Sequence, residues 1–206
     1  MAFFVLNVFL FISINIEAQN ILEKKLLVDG IETISIDGNQ IFKISVSTSK
    51  TDYITVKSTL DGEYQNQFQI VTEEADGKLN LRLELLAFSV IADDKRNAHK
   101  VIAATLYLKI PEKLSLQISS DIGSVDLCGN FDSLSIELLQ GHCEVMGKIH
   151  NATINTIDGD IKVVTQSASI DANSNNGNVA LDEFSITSSL WKLRTINGDI
   201  TVAKRE

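Results

Sequence analysis

A chain of 206 residues holds one domain or at most two small ones and is long enough to bury a sizeable core. Its 44% hydrophobic and 22% charged residues exclude a disordered polymer. Its formal charge of −9 excludes nucleic acid as a partner, because phosphate binding needs a cationic footprint.

The stretch Ala2 to Ile16 is apolar apart from Asn7, Ser13 and Asn15. It is short for a membrane span and suits the hydrophobic region of a signal peptide, with Ala18 as the small residue before cleavage. Residues 1–18 are therefore expected to be a signal peptide, or an uncleaved anchor, since no Lys or Arg precedes Lys24. Residues 19–206 form the mature chain on this reading, exported to the periplasm, cell surface or extracellular space, with no membrane span of its own once the signal is removed. The first cysteine is Cys128, which excludes lipid attachment at a processed N-terminal cysteine.

One proline, 6% aromatics and many Ile, Val, Ser, Thr, Asn and Asp residues predict short strands joined by tight turns. From residue 20 to 113 the alternation of apolar and polar residues places strands over Thr33–Asp37, Gln40–Thr48, Tyr53–Lys57, Gln67–Thr72, Lys78–Leu85 and Lys100–Ile110. Asp29-Gly30, Asp37-Gly38, Asp61-Gly62 and Asp76-Gly77 supply turns with a Gly able to take φ > 0. Ala87–His99 breaks the pattern. Its Phe88, Asp93, Asp94, Lys95 and Arg96 mix apolar and charged groups, making it a candidate contact loop.

From about residue 114 to 203 the sequence repeats on a glycine beat at Gly123, Gly141, Gly159, Gly177 and Gly198, at intervals of 18, 18, 18 and 21. After each glycine the second and fourth residues are apolar, as in a strand with one buried face. A second alternating run precedes each glycine, so each repeat is strand, glycine turn, strand, return turn. Such a period predicts an all-β, single-domain β-solenoid or β-helix-like fold in which each coil buries its apolar face against the next. Val125, Cys143, Ile161, Val179 and Ile200 form the expected inward column. In this register Cys128 aligns with Met146 and Val164, three residues along the coil from Cys143, too far for a disulfide. Two buried free thiols are expected.

Ser124, His142, Asp160, Asn178 and Asp199 form the outward column beside the glycines. Its Ser-His-Asp run invites a hydrolytic reading, but a flat ladder supplies neither pocket nor oxyanion hole, and no catalytic residue is assigned. The Asp158-Gly159-Asp160, Asn176-Gly177-Asn178 and Asn197-Gly198-Asp199 turns resemble calcium-binding β-rolls in part. Their period is twice as long, and turn chemistry accounts for Asp and Asn beside Gly. His142, Cys143 and His150 do not form a zinc site, because adjacent strand residues face opposite ways. No metal or cofactor is therefore expected. Trp191, in the three-residue insertion of the last interval, is read as an aromatic cap over the open end of the core.

Ile110-Pro111 followed by Leu114-Ser115-Leu116, the Gly-x-Val-x-Leu units and Thr156-Ile157-Asp158-Gly159-Asp160-Ile161-Lys162-Val163 resemble the bacterial adhesin family related to the head GIN domain of auto-transporter adhesins, a domain of unknown function. The resemblance covers roughly residues 26 to 203. It implies an exported β-solenoid with no enzymatic activity and an adhesive role. Polar strand faces presented to a polysaccharide or to an envelope or surface protein are the first functional reading. A structural or stress-linked envelope component is the second. A lyase-type β-helix enzyme is the third, disfavoured by short coils and scattered basic residues.

Overall fold

The computed structural model describes residues 20–61, 68–86, 103–184 and 188–205. The chain forms fifteen strands and no helix among these residues. They are β1 (Asn20–Leu27), β2 (Thr33–Asp37), β3 (Ile41–Ser49), β4 (Tyr53–Asp61), β5 (Phe68–Ala75), β6 (Lys78–Leu85), β7 (Ala103–Pro111) and β8 (Ser115–Ile122). β9 (Ser124–Gln140) and β10 (Cys143–Asp158) are long, and are followed by β11 (Ile161–Thr165), β12 (Ser169–Ser174), β13 (Val179–Leu181), β14 (Leu190–Asn197) and β15 (Ile200–Lys204). The expected strands are present. β1 is an addition that alternation did not mark, because every side chain described in it is exposed or half-buried.

Two faces run the length of the stack. One is ordered β1-β4-β7-β3-β9-β10-β11-β15-β13, and the other runs β5-β6-β2-β8-β9-β10-β14-β12. β9 and β10 belong to both, because each bends from one face to the other near its middle. Gly129 and Gly147 occupy those bends with φ of +139° and +147°. A Cβ on Gly147 would overlap the carbonyl of Gly129, so the bends stack backbone on backbone. Central pairings are parallel, whereas β1–β4, β4–β7 and β5–β6 are antiparallel.

The inward residues of both faces meet in one continuous core. Ile44, Val125, Cys143, Ile161 and Ile200 stack in register and are fully buried. Burying each such aliphatic side chain is worth roughly 1.5–3 kcal/mol.

Coil order departs from chain order. β15 lies between β11 and β13, and β14 between β10 and β12, so the last coil inserts between the two before it. The other end uses a related device: β4 and β5 are laid outside the β2–β3 coil, β6 and β7 return between them and that coil, and β1 adds one more strand beyond β4. Val179 therefore ends the inward column, 41% exposed, instead of standing inside it.

Trp191 is not an end cap. It is fully buried inside the stack, with Ala152 on one side and Ile170 on the other, and its Nε1 donates to the Ile149 carbonyl at 3.2 Å. The small Ala152 leaves the room that the indole fills.

Candidate binding surface

The five beat glycines form a single column in spatial order 123, 141, 159, 198, 177. A Cβ on Gly159 would overlap the Gly141 carbonyl, and one on Gly198 would overlap the Gly159 carbonyl. Turn conformation does not explain the beat, since positive φ occurs at Gly141 alone of the five. Close approach of successive corners does. Three residues before the beat glycine stands a hydroxyl in four coils: Ser120, Ser174, Thr156 and Thr195. Thr156 Oγ1 and Thr195 Oγ1 both donate to the Gly159 carbonyl, at 2.8 and 3.1 Å. The Thr of the repeated motif therefore satisfies corner carbonyls that glycine packing buries.

The outward column next to the glycines is also structural over much of its length. Asp160 Oδ1 accepts from the Asp199 amide at 2.8 Å, and Asp199 Oδ1 accepts from the Asn178 amide at 2.7 Å. These carboxylates tie the turn of one coil to that of the next. The structure does bring Ser124 to His142, with Oγ 2.9 Å from Nδ1. The acid facing the ring is Asp126, not Asp160: its Oδ1 lies 3.6 Å from Nε2, while its Oδ2 holds Lys43 Nζ at 2.7 Å. Asp126 raises the Lys43 ammonium above its ordinary value through that bond. The imidazole, with its side chain 54% exposed, lies on an open strand face. His142 faces outward and Cys143 inward, so the two do not share a site. Both cysteines are free thiols. Cys143 is buried as expected, and Cys128 is exposed, because it sits on the outward side of β9.

Phe88, Asp93, Asp94, Lys95 and Arg96, and residues 1–18, lie outside the described residues.

Strand pairing creates a feature that the sequence did not disclose. A shallow groove of about 490 Å³ crosses β4, β7, β3, β9 and β10 on the outward side of the longer face. In one register row Lys57, Tyr107, Ser45, Asp126 and Glu144 follow one another across the five strands. In the next, Thr55, Lys109, Ser47, Cys128 and Met146 do the same. Tyr107 and Lys109 are exposed and alternate with buried Leu106, Leu108 and Ile110. Nothing local in the sequence says that residues 53–61 and 103–111 flank residues 41–49.

The family described as Toastrack DUF4097 matches residues 31–206 of the chain. Among solved structures, a "putative cell adhesion protein" from Clostridium sporogenes superposes with a TM-score of 0.66 at 14% identity, covering 91% of this chain and 100% of that one. A "putative adhesin" from Bacteroides fragilis aligns at 10% identity over 91% of this chain and 98% of its own, with a TM-score of 0.40. No protein of curated function matches.

Proposed function

The chain belongs to the Toastrack DUF4097 family, and from that premise we propose that it is an exported, non-enzymatic binding protein of the adhesin type, presenting its strand faces to an envelope or surface polysaccharide. The observation that carries this reading is the longer face itself. Nine strands lie side by side at a spacing of about 4.8 Å, and one outward row across eight of them, Glu23, Lys57, Tyr107, Ser45, Asp126, Glu144, Lys162 and Thr201, sets a hydroxyl or a charge on each successive strand. A repeating ligand laid across such a face meets many weak hydrogen bonds in succession, which suits a polymer better than a compact small molecule. The Clostridium protein of the same fold, described in terms of cell adhesion, points in the same direction. The N-terminal apolar stretch and small-residue cleavage position support export.

The test is co-sedimentation of the purified protein with insoluble cell-wall and host polysaccharides, with the supernatant assayed for new sugar ends. Saturable binding without released ends is the expected result. Released ends would replace the reading with the lyase-type enzyme. Absence of binding would favour the envelope component that contacts protein, sought by cross-linking in envelope extracts.

A further inference from the structure

We propose that the groove across β4, β7, β3, β9 and β10 is an acidic-sugar subsite, taking an oligosaccharide that bears carboxylates and lies across the strands with an acidic ring at the β4–β7 end. The inference rests on the polysaccharide-binding reading above and adds where the glycan sits, its chemical class and its direction.

The charges of the groove are sorted along its length. Lys57 and Lys109 stand at one end as diagonal neighbours on an antiparallel pair, with Cα atoms about 7–8 Å apart. Neither is in an ion pair among the described residues, and Glu23 of β1 stands directly across from Lys57 in the same row. Glu144 stands at the other end, and Asp126 beside it is already engaged by Lys43. Two lysines against Glu23 leave the β4–β7 end net positive. Asp126 and Glu144 are offset by Lys43 and by Lys162, which stands across from Glu144. A carboxylate is therefore favoured at the β4–β7 end, and an asymmetric ligand has a direction. Tyr107 lies next to Lys57 in the row, 45% exposed, with an aromatic surface for the apolar side of a sugar ring. Ser45 and Ser47 follow on β3, hydroxyls suited to sugar hydroxyls, and Met146 forms an apolar patch beyond them. From β4 to β10 is four strand spacings, about 19 Å, room for several sugar rings.

The net charge of −9 makes this local pair informative. The whole molecule does not attract polyanions, so an acidic glycan must be held by particular ammonium groups, and the contact weakens as salt is raised.

The probe is an oligogalacturonide, compared in calorimetric titration with its fully methyl-esterified form, which keeps the rings and loses the charge. The acid is expected to bind saturably and the ester at least about tenfold more weakly. The double variant Lys57→Gln, Lys109→Gln should lose that preference, and Tyr107→Ala should weaken both ligands, with unchanged far-UV circular dichroism in each variant. Equal binding of acid and ester, no binding of the acid, or full retention in the double variant would each overturn the assignment. Co-sedimentation of the double variant separates the two levels. If the wild-type protein sediments with polysaccharide and the double variant keeps the wild-type preference for acidic over neutral polysaccharide, the general reading stands and the subsite is wrong; if the wild-type protein sediments with none, the general reading itself has failed.

Discussion

Glycine at the corners is a requirement of contact. At Gly159 the place of a Cβ is taken by the carbonyl of the neighbouring coil, itself backbone and unable to swing away. Gly159→Ala must push two coils apart, and the expected cost is about 3 kcal/mol or more by urea unfolding. Gly30→Ala makes a useful contrast. Its φ of +73° strains an L residue, but nothing lies within 4 Å, so about 1–2 kcal/mol is expected. Equal costs at the two positions would refute the close-contact explanation. The cysteines differ just as sharply. Native protein should take one alkyl group from iodoacetamide, at the exposed Cys128, and two once unfolded. Burial pushes the Cys143 thiol far above its ordinary value of 9.0, with Asp126 and Glu144 adding to the effect. The folded state therefore keeps a proton that the unfolded state releases as pH rises past that value. Stability contributed by this group is complete below about pH 8 and declines above pH 9, with a limiting slope of about 1.4 kcal/mol per pH unit. Cys143→Val, which copies Val125 in the neighbouring coil, should show a shallower decline. Parallel pH profiles for the two proteins would rule this linkage out.

Within single elements, much was legible. β2 and β6 run over the residues that alternation assigned to them, because Ile34, Ile36, Leu79 and Leu81 alternate with polar residues and have one buried face each. The alignment of Cys128 with Met146 and Val164 followed from the glycine beat and holds in the pairing of β9, β10 and β11. Four things were not legible, each for a physical reason. β1 pairs with β4 through its backbone while its side chains stay largely outside, so it leaves no periodic trace. The second glycine column, Gly129 and Gly147, makes no beat because its neighbours in the stack are Thr48 and Thr165, not glycine; Thr165 Oγ1 donates to the Gly147 carbonyl at 2.9 Å, doing at the coil's far corner what Thr156 does at the near one. The coil order was hidden because each coil carries the same inward pattern and would fit either neighbour. The 21-residue interval was the one cue, and it reads equally well as a terminal insertion. The groove shares that fate: Lys57, Tyr107 and Glu144 are ordinary outward residues until pairing of distant strands sets them in one row.

Across the whole molecule the two ends share one device, although at one of them the outer pairings are antiparallel and β1 adds a strand beyond β4. In each, the chain passes over one position in the stack, lays down the outer layer, and returns to fill the gap. A coil placed in this way has neighbours on both sides in its final position, as β14 has β10 and β12. Its burial therefore depends on contacts with both, and those contacts join residues far apart in sequence, as Ile44 beside Leu106 does near the other end. Closing such loops before the contacts can repay them is slow, and refolding is expected over milliseconds to seconds or longer. Trp191 reports directly on the filling step, since it is the single tryptophan and lies wholly inside the inserted coil's contacts with Ala152 and Ile170. After a jump out of urea, its emission should shift to the blue no earlier than β structure forms by far-UV circular dichroism. A tryptophan signal that settles well ahead of the sheet would mean that the last coil docks first and the 169–181 coil closes over it, reversing the order inferred from the stack.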